Sequence, residues 1–578
     1  MIRWIARIAF VVGCGAAVIT AGHQRHHGPV STIDGALNSW LQRPTSPLAR
    51  VLIKTRAGLG KAVRTRLEGA GATHVSRTST PDLLAAEVSA AALRGVSVDA
   101  DVERISIDGV VRPLGTSSLS QNVLLNTEAL LPRQYTGASV GVAVIDSGYL
   151  PNANVKLAGT YDFIKSNGKK VSASDAYGHG THVGSLIASN GTTSSDLYEG
   201  IAPGVKLYAL RALDATGAGY TSDVINAINF AVANKGALGL GVINMSLGHP
   251  IYESAGTDPL VRAVEDAVAA GLVVVVSAGN FGGDPATHVT GYGGIMSPAN
   301  APSAIAVGAL ETYQTVTRTD DVVAWYSSRG PSWYDGFQKP DLVAPGSHLV
   351  SDIPTSSAVA QSYPGGLMKT SGTTALMKLS GTSMAAPVVS GVVAAMLEAS
   401  RVNHPGAALT PNTIKAILQY TALPLPNEDI LTQGAGALNA AGAIAFAAAV
   451  DPNQPVGSWW LLNNISLSTT VGGETYPWAQ RVVWGDRVIW GNQVFMNDAA
   501  WALRVVWGNR VIWGNRVIWG NSTVWDGNQL TWGQRVIWGN SLLDVTADRV
   551  VWGNLQDLNL APTARSWSNL ETANGDLR

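Results

Sequence analysis

Residues 379–391 read LSGTSMAAPVVSG. One serine, Ser383, stands among glycine, alanine and threonine, just before the apolar residues Val388, Val389, Val392 and Val393. A core helix does not require Gly381 and Thr382 ahead of it. A surface loop does not require the valines behind it. The pattern fits a small-residue turn that presents one hydroxyl at a helix N-terminus, where free backbone N–H groups and the positive end of the helix dipole gather. An ordinary N-cap serine fits the same residues. Pro387 reads as part of the first helical turn, where its missing N–H costs little.

Outward from this stretch, between about Tyr135 and Val450, short apolar runs alternate with helical patterns. The runs are VGVAVID, KLYALRAL, GVINMSLG, LVVVVSAGN and AIAVGAL. Nearly all-apolar runs of this length suit central parallel strands buried on both faces. SDVINAINFAVANKG and PLVRAVEDAVAAG read as the helices between them. The layout is α/β, a doubly wound parallel sheet. LNAAGAIAFAAAV is too short to span a bilayer and reads as a packed closing helix.

In such a sheet, ligands bind beyond the C-terminal strand ends. Asp146 directly follows the strand in VAVIDSG. His179 opens a helix in DAYGHGTHVGSLIAS, and Asn280 ends VVVVSAGN. Each alone has an ordinary reading. The aspartate suits a helix cap, the asparagine suits a turn, and His179 with His182 has the i, i+3 spacing of metal ligands, although no carboxylate shares that face.

Together with Ser383 they form a set. The chain from about 120 to 450 resembles the subtilisin-like serine proteases, the subtilases, with the three blocks in the order Asp, His, Ser. QYTGASVGVAVIDSG, LYALRALDATGAGYTSDVINAI, SSRGP, KPDLVAPG and SMAAPVVSGVVAAML are similar to the family as well. The resemblance implies a serine endopeptidase. Ser383 is then the nucleophile, His179 the base and Asp146 its orienting partner. The Ser383 N–H and the Asn280 amide form the oxyanion hole. His182 is then a structural histidine. Polypeptide substrate binds as an added strand between Gly217, Ala218 and Gly219 on one side and Ser246, Leu247 and Gly248 on the other. FGGDPATHVTGYGGIMSPAN departs from the family pattern in length, so side-chain preference is not read from it.

Residues 49–113 carry strand and helix patterns in the order β-α-β-α-β, a small α+β ferredoxin-like unit. In the family this place belongs to an inhibitor-type propeptide. The resemblance therefore implies a self-inhibited precursor, cut between about Arg112 and Gln121, whose own propeptide is a partner. The chemistry requires no cofactor. Structural calcium is common in the family, but here Asn154 stands where an aspartate ligand is usual, and no metal ligand is assigned.

The 578-residue chain has 46% apolar and 14% charged residues and a formal net charge of −1, which argues against a nucleic-acid partner. Residues 1–22 read as a secretory signal peptide: Arg3 and Arg7, then an apolar run, then Thr20 and Gly22. Secretion follows as the expectation. VVGC offers the alternative of a surface lipoprotein through Cys14, the only cysteine. HQRHHG opens a solvated linker over 23–48, and 451–475 reads as a second linker. Over 476–556 the unit R-V-[IV]-W-G-[ND] recurs at a six-residue period, before a tail at 557–578. RVIW favours strand and GN a tight turn, so this region is β-rich. A solenoid and a meander both fit, and the meander sets Trp513 opposite Arg516. The repeats stand apart from the protease core in this reading. Their tryptophans suit a cell-wall or protein ligand, or packing among themselves. A surface adhesion protein on a protease-like scaffold is the alternative function; retention of Asp146, His179, Ser383 and Asn280 weighs against it.

Overall fold

Nine strands form the central sheet of the computed structural model. The structure describes residues 33–113, 134–195, 198–284, 289–313, 315–453, 458–459, 465–484, 487–490, 495–496, 520–525 and 530–535. The readings placed on the signal peptide, Cys14, the Trp513–Arg516 pair and the tail lie outside these residues.

A small unit comes first. It contains α1 (Gly35–Gln42), β1 (Ala49–Thr55), α2 (Gly60–Gly69), β2 (Thr73–Arg77), β3 (Leu83–Val88), α3 (Ala90–Val96) and β4 (Val102–Ile107). Its antiparallel sheet runs β2-β3-β1-β4. This is a β-α-β-β-α-β order, one strand richer than the sequence pattern suggests. THVSR at β2 carries no apolar alternation because it is a largely exposed edge strand. Residues 35–42 are helix although they read as linker. Asp34 caps that helix, accepting from Leu37 N at 2.8 Å, and Leu37 is buried in the small core. A further strand, β5 (Val110–Pro113), leaves this unit for the larger one.

The larger unit holds β6 (Gly141–Asp146), β7 (Leu157–Asp162), β8 (Lys169–Lys170), α4 (His179–Ala188), β9 (Lys206–Arg211), β10 (Gly219–Tyr220), α5 (Thr221–Leu238), β11 (Leu240–Met245), β12 (Leu247–Gly248), α6 (Pro259–Ala269) and β13 (Val273–Ser277). It continues with β14 (Ile305–Glu311), β15 (Val322–Val323), β16 (Leu342–Pro345), β17 (Leu349–Pro354), α7 (Ala358–Ser362), β18 (Leu367–Ser371), β19 (Thr374–Leu379), α8 (Thr382–Asn403), α9 (Pro411–Thr421), α10 (Ile430–Gln433) and α11 (Ala440–Ala449). The sheet order is β15-β14-β13-β11-β6-β9-β7-β8, with β16 also on β14. All pairings are parallel except β14–β15 and β7–β8. Side chains alternate across the sheet. Val142, Val144, Val273 and Val275 join the core beneath α4, α8, α9 and α11, while Ala143, Ile145, Val274 and Val276 join the core beneath α5 and α6. Covering both faces accounts for strands that are apolar at every position. Helix α8 is long and apolar enough to cross a membrane, but it lies buried in the first of these cores.

Pro387 is not in the first turn of α8. The helix starts at Thr382, so Pro387 lies in its interior.

Beyond α11 come β20 (Ser458–Trp459), β21 (Ser468–Val471), β22 (Glu474–Pro477), β23 (Arg481–Trp484), β24 (Arg487–Trp490), β25 (Phe495–Met496), β26 (Gly520–Trp525) and β27 (Leu530–Arg535), in four two-stranded pairs. The separation of repeats from core does not hold at its near end. Trp478 and Val482 are buried in the large core, and the Trp478 ring packs 6.1 Å from that of Phe446. Ala479 N and Gln480 N donate to Ala422 O and Tyr420 O at the end of α9. Antiparallel pairing of β23 with β24 sets Trp484 opposite Arg487, the register of a meander.

Candidate active site

Asp146 ends β6 and is fully buried. His179 opens α4, and its Nδ1 lies 2.9 Å from both Asp146 oxygens. That contact fixes the ring so that Nε2, which has no hydrogen-bond partner, points away from the carboxylate. The turn into α4 depends on Gly178, whose φ is +100° and where a Cβ would meet Ser357 Oγ at 2.4 Å. Asp175 holds this turn together. It accepts from Gly178 N, Thr181 N, Thr181 Oγ1 and Ser147 Oγ at 2.7–2.8 Å. Burial nevertheless raises its pKa above the usual carboxylate range. His182 stands one turn further, its Nε2 3.0 Å from Met377 O. Burial pushes its pKa down to about 3, so it is a neutral part of the core.

Ser383 sits at the second position of α8, after Gly381. Its Oγ donates to Ser246 O at 3.0 Å, turned toward the strand β12 side of the site. Asn280 follows β13, and its Oδ1 accepts from both Thr382 N and Thr382 Oγ1 at 3.0 Å. Holding the amide by its oxygen turns Nδ2 the opposite way, where it can serve as a donor. Thr382 thus orients Asn280. Sequence reading credits Thr382 only with a tight turn, and the alternation of small polar residues around Ser383 is the sole signal it leaves.

The six residues expected to flank substrate are brought to one cleft. Strand β5 lies in that cleft, antiparallel to both edges. Val111 pairs with Gly219 and Val110 with Tyr220; Arg112 pairs with Gly248 and Pro113 with Leu247. Gly217 and Ala218 form the turn before β10, donating to Asp214 O and Asp214 Oδ1 at 3.1 Å. Gly217 has φ +74°, and a Cβ there would stand 2.4 Å from the Tyr177 ring. Val111 is fully buried among the residues under α5 and α6. The small unit also caps α5: Ser222 N and Ser222 Oγ both donate to Asp108 at 2.8 Å.

The resemblance leaves structural calcium as a possibility. Among the described residues, no group of three or more His, Cys, Asp or Glu side chains could hold a metal ion. At Asn154 the side-chain amide donates to both oxygens of Asp352, an arrangement that does not fit a cation between them.

The family model of the subtilases, Peptidase_S8, matches residues 137–443, more than half of the chain. Serine protease AprX of Bacillus subtilis is 34% identical over 382 residues, covering 64% of this chain and 80% of AprX. Subtilisin E of the same organism is 33% identical over 362 residues, covering 62% and 80%. Among solved structures, fervidolysin of Fervidobacterium pennivorans, described as a keratinolytic enzyme related to subtilisin, aligns with a TM-score of 0.53 at 21% identity. That alignment covers 69% of this chain and 61% of fervidolysin, and it speaks to the fold alone. The chain belongs to the subtilase family of serine proteases.

Proposed function

We propose that the chain is a secreted endopeptidase that is made as a precursor held inactive by its own residues 49–113. The observation that carries this reading is strand β5, which pairs with both edges of the cleft beside Ser383. An extended segment bound this way has the geometry of a substrate or product.

In catalysis, Ser383 Oγ leaves the Ser246 carbonyl and turns to His179 Nε2, which takes its proton as the Oγ–C bond forms. The displaced carbonyl oxygen becomes an oxyanion. The Ser383 N–H and Asn280 Nδ2 receive it, at roughly 3–4 kcal/mol for such a donor. Asp146 keeps His179 in the required tautomer and stabilises its cation. Collapse breaks the C–N bond while His179 returns the proton to the leaving amine. Water then attacks the acyl-enzyme along the reverse of the same path. Asp175 and Thr382 hold His179 and Asn280 in place without touching the reacting atoms.

The test is Ser383→Ala. The purified variant should remain a full-length precursor under conditions in which the wild type separates its small unit. Processing of the variant in the absence of any other protease would refute self-cleavage.

A further inference from the structure

The interior proline of α8 has a specific partner. Pro387 has no N–H, and the carbonyl four residues before it belongs to Ser383. The ordinary helical donor to the Ser383 carbonyl is therefore missing. Ser246 Oγ donates to that oxygen instead, at 2.8 Å. The Ser246 hydroxyl is in turn held by Asn244 Nδ2 at 3.1 Å, and Asn244 Oδ1 accepts from Ser390 Oγ at 2.8 Å. The relay leaves α8 at Ser390, crosses the end of β11 and returns to α8 at Ser383. All four side chains are fully buried.

We propose that Ser246 is a positioning residue for the nucleophile, and that Pro387 creates the open acceptor through which it acts. Anchoring the Ser383 carbonyl fixes the backbone of that residue, and with it both the N–H and the Cβ from which Oγ swings. The anchor comes from the strand end that also flanks substrate. The reacting hydroxyl and the substrate edge are thereby referenced to one point. An ordinary residue at 387 would offer the Ser383 carbonyl a donor from its own helix as well.

The inference rests on Ser383 being the nucleophile. It is tested on enzyme expressed as the full chain and then processed, with active sites counted by an organophosphorus serine reagent and a short peptide as substrate. Loss of one such hydrogen bond should lower kcat for Ser246→Ala by about tenfold, with KM little changed. In a Pro387→Ala background, the new N–H at 387 supplies the missing donor. Ser246→Ala should then cost less than about twofold. Equal factors in the two backgrounds would overturn the proposal, and so would a rise in KM with kcat unchanged. Should Ser246→Ala fail to fold, Ser390→Ala at the far end of the relay replaces it. That variant should lower kcat in the native background only, and a Ser390→Ala enzyme with native kcat would count against the relay. Wild-type enzyme that the reagent does not label would sink the nucleophile assignment itself, a different failure.

Discussion

The amide of Asn154 is shared between both oxygens of Asp352: Nδ2 lies 2.8 Å from one and 2.9 Å from the other. Asn154 Oδ1 accepts from Thr193 N at 2.9 Å, which fixes the amide this way round. Burial raises the Asp352 pKa, and the Asn154 hydrogen bonds oppose that rise. Asn154→Asp would place a second carboxylate against the first. The expected result is a lower Tm in chelator, by several degrees, with recovery in millimolar calcium. A native Tm in chelator would show that the amide contributes nothing.

In the proposed mechanism, removing the Asn280 amide takes away a donor that acts on the developing oxyanion. Asn280→Ala should lower kcat by about 10²–10³ with little change in KM. Steady-state kinetics on a peptide substrate check this, and a loss confined to KM would move Asn280 out of the oxyanion hole.

The pairing of Pro113 with Leu247 predicts the processing site. Strand β5 ends at Pro113, whose partner Leu247 directly follows Ser246, and the Ser246 carbonyl holds Ser383 Oγ. The bond after Leu114 is then the expected cut, giving a mature chain that starts at Gly115. N-terminal sequencing of the processed enzyme decides it, and a start beyond Gln121 would contradict the register.

The small unit should lose stability as pH rises. Asp34 caps α1, accepts from Ile107 N and faces Glu253 and Arg104, themselves paired at 2.6 Å. Burial raises its pKa from 3.8 to about 7. Below 3.8 the carboxyl is protonated whether the unit is folded or not. Between 3.8 and about 7 only the unfolded unit ionises, so stability is lost as pH climbs through that window. Chemical unfolding of the Ser383→Ala precursor across this range should show the decline, and Asp34→Asn should flatten it. An unchanged slope in Asp34→Asn would assign the effect elsewhere.

Truncation of the repeats should depend on where it starts. Deleting 476–556 removes Trp478 and Val482 from the large core, and loss of a buried tryptophan alone costs about 3–5 kcal/mol. Low yield or a much lower Tm is expected. A deletion from 491 onward spares those contacts and should leave hydrolysis of a short peptide nearly unchanged. Equal stability of the two truncations would restore the repeats to full independence.

Sequence reading reached what depends on local pattern. Strands buried on both faces announce themselves by runs such as VVVVS, and polar residues at their ends fall where the sheet gathers its site. It missed what depends on partners far along the chain. THVSR lacks alternation because an edge strand faces solvent. Residues 33–42 read as linker because their hydrogen-bond partners on β4 and α3, such as Ile105 and Arg94, lie more than 50 residues away. Trp478 reads as one more repeat unit, since nothing in the hexapeptide distinguishes the tryptophan that meets Phe446. The roles of Asn244 and Ser390 are invisible in sequence, because each is a single polar residue inside an apolar stretch.

In the proposed precursor, strand β5 is joined to its cleft by the chain itself until the cut is made. A short tether holds a segment at an effective concentration on the order of millimolar, whatever the protein concentration outside. Severing the bond turns the same contact into a bimolecular one. From then on the fraction of enzyme released depends on how far the two pieces can diffuse apart. A secreted molecule entering a large volume would be activated by dilution alone, while the same molecule confined in a narrow space would stay silent after its own processing was complete.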